Sequence, residues 1–312
     1  MNLVNSAAQA LNRPKLSGLP LYVLIDPYLG DVRDDGYNLA QITDIEVLHR
    51  VRCNAWDGRK VFHAPMKNPV ISAYRLPYVV HIEENDYGVL DELVQMAINE
   101  HQSALNFTTY QRYRVGTIIE TWMDPLDLMR RLEMMWSYHR PVEGARYLRI
   151  GDRRVFEAIT HLFTPERLAR WLGPIAHWHV LARDFRWLSV RGDDENWYAD
   201  SGHGWRRAVD TTRVLEGASL QFDGLQRRRM RDLEAVARAL LDWQRANRAL
   251  SIDTYHLAWS AVAAAGDHGL VEQSDKAEFA YHWMRAHDCA PPGSHHRNTT
   301  SSNSGFGSLG TD

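Results

Sequence analysis

From Leu225 to Leu250 the chain runs without proline or glycine and is rich in Ala, Leu and Arg. Nothing in that stretch interrupts a hydrogen-bond ladder, so it predicts a long helix. Its apolar positions, Leu225, Leu233, Val236, Leu240, Leu241 and Trp243, make a stripe that another element must cover. Two further helical segments can supply the cover: Ser251 to Ala265, Ala-rich and ending at Gly266, and Ser274 to His287. Three helices with short connections predict a small helical lobe from Glu216 to Asp288.

Upstream, the pattern changes to short apolar runs bounded by turn formers. Leu19-Pro-Leu-Tyr-Val-Leu-Ile-Asp26 reads as a buried strand, and similar runs recur at Lys60 to Ala64, Tyr78 to Ile82 and Thr117 to Trp122. Helical patterns lie between and after them, at Asp91 to Gln102 and at Pro125 to Tyr138. Asp124 is a candidate N-cap for the second of these, and Pro125 suits its first turn. Thr164 to Gly173 repeats that logic with a Thr cap, a Pro behind it and a terminal Gly. Ile175 to Val190 predicts one or two strands, and Arg191 to Gly204 an acidic, glycine-containing loop. Interleaving of this kind predicts an α/β lobe over residues 19–215, a mixed or parallel sheet with flanking helices. Residues 1–18 form a lead-in. The tail, 289–312, is Pro, Gly, Ser, Asn and Thr with one aromatic and is expected to be disordered.

Composition narrows the function. Among 312 residues, 45% are hydrophobic and 24% charged, enough for a substantial core. A net charge of -3 argues against a dedicated nucleic-acid binder. No apolar run approaches membrane-spanning length, so no membrane insertion is expected. Met1 to Pro14 lacks the pattern of a secretory leader, which points to the cytoplasm. Cys53 and Cys289 then read as free thiols, although the sequence leaves a bridge between them open. The 11 Trp and 13 Tyr outnumber the 8 Phe, a bias that suits protein contact as well as core packing.

No cofactor is implied, because neither phosphate-binding glycine pattern occurs, and the Gly-x-Ser-x-Gly elbow is absent. His177-Trp-His179 would put two imidazoles on one strand face, with His203 and Asp193 or Asp194 as further metal ligands. The simpler reading is two strand histidines, one buried and hydrogen-bonded and one wet, so no metal site is expected. Asp26, Asp124 and Asp184 sit near element ends, where both catalytic acids and caps occur. The enzyme alternative is a hydrolase using Asp26 or Asp124 at the carboxyl ends of parallel strands. Arg227-Arg228-Arg229-Met230-Arg231 is the sharpest charge run, and Arg227, Arg228 and Arg231 are candidate partner-binding residues.

Several segments, taken in order, resemble one family. Leu21-Tyr-Val-Leu-Ile-Asp26, Leu76-Pro-Tyr-Val-Val80 and Thr121-Trp-Met-Asp-Pro-Leu-Asp-Leu128 look like three landmarks of the type VI secretion effector adaptor/chaperone family. Phe163-Thr-Pro-Glu166, Leu172-Gly-Pro174, Trp178 and Ala264-Ala-Gly-Asp-His-Gly-Leu270 follow in the family's order. Thr121 and Leu126 depart from the arginines the family carries beside its Asp-Pro motif, and Tyr110-Gln-Arg-Tyr113 stands in place of a His-Leu-Arg element. The resemblance implies a cytoplasmic, non-enzymatic protein that binds a toxic effector and helps load it onto the secretion spike protein. It also marks Tyr22, Asp26, Pro77, Asp124 and Pro125 as structural motif positions.

Overall fold

A computed structural model describes residues 13–33, 39–63, 71–84, 86–106, 113–140, 144–193 and 221–288. Strands β1 (Leu21–Ile25), β2 (Val61–His63), β3 (Tyr78–Ile82), β4 (Val115–Glu120), β7 (His177–Leu181) and β8 (Trp187–Arg191) form one six-stranded sheet. Its order is β2-β3-β1-β4-β7-β8, and each neighbouring pair is antiparallel. The expected mixed or parallel sheet is therefore corrected to an antiparallel one. The misreading has a physical cause. β1 and β4 are buried along their whole length, so neither shows the apolar–polar alternation of a strand with one wet face, and β1 carries the continuous apolar run usual in parallel sheets. A second ribbon, β5 (Ser137–Arg140) with β6 (Gly144–Tyr147), was not signalled by the sequence pattern.

Helices cover both sheet faces. Along β1, Tyr22 and Leu24 point to one side and Leu21, Val23 and Ile25 to the other. The first side packs α3 (Pro125–Met135), α4 (Arg153–Leu162) and α5 (Pro165–Leu172), through Leu128, Leu132, Phe156, Ile159 and Trp171. The second packs α2 (Tyr87–Asn106) through Leu90, Leu93, Val94 and Ala97. Helix α1 (Ile45–Ala55), which the sequence reading did not identify, lies by the β2 edge, capped by Asp44. Gly173 ends α5 at φ 54°, and a side chain there would meet the buried Arg131 guanidinium, which donates to the carbonyls of Arg170 and Trp171.

The helical region departs from the single long helix expected over 225–250. The structure has α6 (Gly224–Arg231) and α7 (Leu233–Arg245), broken at Asp232. No Gly or Pro marks the break. Lys276 Nζ, on α9 (Gln273–Asp288), donates to the Asp232 carboxylate at 2.8 Å and holds it at the junction of the two helices. Helices α7, α8 (Ile252–Asp267) and α9 share a core of small residues and Trp243, Trp259 and Met284, which Ala158 of α4 also enters. The expected loop from Asp194 onward, the start of the helical lobe at 216–220 and the tail at 289–312 lie outside the described residues.

Candidate functional site

The β1 strand ends at Asp26, whose side chain caps the following turn by accepting from Tyr28 N at 3.0 Å. Asp26 Oδ2 also receives Arg149 Nε and Nη2, at 3.1 and 2.9 Å. Burial pushes the Asp26 carboxyl up to about 6 against the pull of Arg149, and the neighbouring Asp152 charge adds to the rise. Asp152 is the N-cap of α4 and takes three hydrogen bonds from Arg154. Burial alone would raise its carboxyl, but Arg154 and Arg149 outweigh that and hold it at about 2. Gly151 makes this pairing possible, since a Cβ there would sit 3.1 Å from the Asp26 Cβ.

Asp124 caps α3 through Leu126 N at 2.9 Å, with Pro125 in the first turn, as the sequence pattern predicts. Because Ile25 pairs with Val115 and Leu21 with Glu120, Asp26 and Asp124 lie at opposite ends of the sheet. The strand between them spans about 16 Å, well beyond the roughly 5–9.5 Å of a hydrolytic carboxylate pair. An antiparallel sheet also has no common carboxyl edge, so the geometric premise of the Asp26 or Asp124 hydrolase is corrected. The Asp26 side chain is itself wholly buried. Tyr22 is a core residue beside His81, and buried Pro77 leads into β3. Next to it, the Tyr78 hydroxyl donates to Asp31, which also pairs with Arg52 at 3.0 Å.

His177 and His179 do share a face, their rings 5.7 Å apart. His179 is buried, with Nε2 at 2.8 Å from Glu120 and Nδ1 at 2.7 Å from the hydroxyl of exposed Ser189 on β8. Ser17 donates to Glu120 from both its amide and its hydroxyl. Burial opposes ionisation of Glu120, but the bonds from His179 and Ser17 prevail and hold its carboxyl below the usual range. His203 and Asp194 lie outside the described residues, and among the described residues no group of three His, Cys, Asp or Glu is placed to hold a metal ion. Cys53 is a free thiol 3.6 Å from His49, while Cys289 lies outside the described residues.

The arginine run on α6 does not form one patch. Arg227 turns back to donate to the carbonyl of Phe222, Arg228 is exposed, and Arg231 borders a cleft of about 1210 Å³ between the sheet region and the helical region. One wall of the cleft is Arg149, Asp152, Arg154 and Val155, at the start of α4. The floor is the flank of α7, with Leu233, Ala237 and Leu241, and Ala277, Glu278 and Tyr281 of α9 form the far side.

Behind this opening the two regions are joined. Buried Glu157 of α4 accepts from the Tyr255 hydroxyl of α8 and from Arg183 N, and pairs with Arg183 Nε at 3.3 Å. The Arg183 carbonyl accepts from Gln244 of α7 at 2.8 Å and meets His101 Nε2 at 2.7 Å. Burial, with Arg153 nearby, pushes His101 down to about 3, so its ring is neutral and donates to that carbonyl. Sequence reasoning missed this joint. At the cleft edge, Asp152 carries a signal that could have been read, as a capping residue directly before α4.

The described architecture is an antiparallel α/β sheet region clasped to a helical unit around one large cleft. No family model, no curated protein and no solved structure matches the chain.

Proposed function

We propose that this chain is a non-enzymatic adaptor that binds a secreted type VI effector in the cytoplasm and helps load it onto the spike protein. The observation that carries the reading is the cleft. At about 1210 Å³ it is larger than the roughly 300–1,000 Å³ of ordinary small-molecule pockets. Its lining mixes apolar helix flank with charged rims, the pattern of a protein-binding surface. The resembling segments also support the reading, because Leu21 to Ile25 and Tyr78 to Val80 fall on the adjacent strands β1 and β3, and Thr121 to Leu128 leads from the end of β4 into α3. Among the described residues no helix is long and apolar enough to cross a membrane, consistent with the absence of membrane insertion from the proposal. The near-balanced charge gives no reason to add a nucleic-acid partner.

The test is co-expression with candidate type VI effector and spike proteins of the same genome, followed by size-exclusion chromatography. The proposal expects a stable complex with the effector and transfer to, or a ternary complex with, the spike protein. A chain that elutes alone with either protein in excess overturns it.

A second reading has one specific observation in its favour. Glu120, His179 and Ser189 form an acid–base–hydroxyl chain with an exposed hydroxyl, the arrangement that activates a serine nucleophile. A fluorophosphonate probe decides it. Adduct formation on Ser189 of the folded chain, lost in Ser189→Ala and His179→Ala, would replace the adaptor reading with a hydrolytic one.

A further inference from the structure

The cleft has features that specify the shape and charge of its occupant, an argument that rests on the adaptor reading and deepens it. The floor is apolar helix flank: half-buried Met230, Leu233 and Ala237 recur at helical spacing along α6 and α7, half-buried Val155 and Tyr281 flank them, and Leu241 and Ala277 are already buried beneath. Backbone groups along those flanks are already bonded within their own helices, so an extended strand laid there would find no main-chain partners. A helix brings its own hydrogen bonds and needs only an apolar stripe to bury. From Met230 to Arg245 the floor runs for about 22 Å, room for about four helical turns.

The rims carry complementary charge. Arg231 and Arg238 stand two turns apart along the α6–α7 rim. Arg231 is exposed with no partner among the described residues, and Arg238 meets Glu234 in a pair whose side chains are 48% and 59% exposed. An exposed pair within one helix is readily exchanged for a carboxylate on a partner. Arg245, two turns further along, is committed: it donates to the carbonyls of Ala104 and Leu105 and pairs with Asp242, closing that end. Across the floor, Glu278 is exposed and also lacks a partner among the described residues.

We infer that the cleft seats one amphipathic helix of the partner protein. Two acidic residues, seven apart, lie along its edge against Arg231 and Arg238. A basic residue on the other edge faces Glu278, and aliphatic residues fill the stripe between.

The test uses the full chain and a fluorescein-labelled helical peptide of about 15 residues built to this pattern. A control peptide replaces the two Glu by Lys, and binding is read by fluorescence anisotropy. The acidic peptide is expected to bind at least about ten-fold more tightly than the control. The double variant Arg231→Glu, Arg238→Glu is expected to reverse that preference. Ala237→Trp, which fills the floor from a half-exposed position, is expected to weaken the acidic peptide by at least about ten-fold with the melting temperature retained. Equal binding of the two peptides, no binding of either at millimolar concentration, or indifference to Ala237→Trp overturns the inference. An acidic peptide that binds only after residues 289–312 are deleted also overturns it, because the chain's own tail is then the occupant. The adaptor reading is separable. If a co-expressed effector is retained equally by the wild-type chain and Ala237→Trp, the cleft inference fails and the adaptor reading stands. If no effector is retained at all, the adaptor reading fails and the peptide result still decides the cleft.

Discussion

Helix α4 places its start and its middle in two different electrostatic settings. At its start, Asp152 and Arg154 pair at the edge of the cleft, where Asp152 keeps 3% of its side chain in solvent but Arg154 keeps 20%. About one turn on, Glu157 and Arg183 pair in the joint between the sheet and the helical unit, at 5% and 6%. Both are carboxylate–guanidinium pairs, yet they answer differently to loss of a partner. At the cleft, water can replace a missing group. In the joint it cannot, so an orphaned charge stays desolvated. The two regions are thus clamped on one side and open on the other, and the clamp is what keeps a wide cleft from being a loose one.

The largest test of that contrast is Glu157→Ala. It strands the Arg183 charge and leaves the Tyr255 hydroxyl without its acceptor, so chemical denaturation is expected to show a loss of about 3–5 kcal/mol. A loss as small as that of a surface mutation would break the comparison. Asp26→Asn sharpens it through pH. The folded carboxyl sits at about 6, above the unfolded value near 3.8. Its contribution therefore favours the native state below 3.8 and is lost as pH rises through 6. Relative to wild type, the Asn variant should gain stability between pH 4 and 7, by on the order of 3 kcal/mol, in denaturant melts across that range. A pH-independent difference would show that Asp26 is ionised throughout.

Asp152→Ala should cost less than Glu157→Ala, about 1–2 kcal/mol for the cap, because Arg154 can rehydrate. Asp152 titrates on the other side, from 3.8 down to about 2, so its stabilisation is present above 3.8 and lost as pH falls. Its variant is expected to show a flatter acid limb in the same melts. The smallest effect belongs to Glu234→Gln on the cleft rim. The exposed pair with Arg238 is worth at most about 0.5 kcal/mol, so the thermal midpoint should barely move. A clear drop would mean that the rim is structural rather than available to a partner.

The sequence exposed local features and concealed those that depend on direction or distance. β1, β3 and β4 are visible as short apolar runs bounded by turn formers, and α3 and α5 announce themselves through Asp124-Pro125 and Thr164-Pro165. Strand direction is not visible, because Val23 is equally buried whichever way its neighbours run. The junction at Asp232 is marked by its pairing with Lys276, far along the chain. The same holds for the candidate site: Arg231 was legible as part of a basic run, but its cleft exists only once α4 faces α7 and α9. Glu157 and Tyr255 stand 98 positions apart and carry no shared pattern.

The place of β1 in the sheet has a consequence during synthesis. It is the first strand of the described chain to emerge, yet both its neighbours, β3 and β4, come later. The ribosome must add about 95 residues after Ile25 before β4 is complete, which takes roughly 5–20 s at about 5–20 residues per second. Its other neighbour, β3, is complete about 57 residues after Ile25, so for roughly 3–11 s Leu21-Tyr-Val-Leu-Ile25, without a single charge, has neither neighbour to pair with. The strand that ends at the centre of the sheet is thus the first one made and waits for the chain to supply both of its flanks.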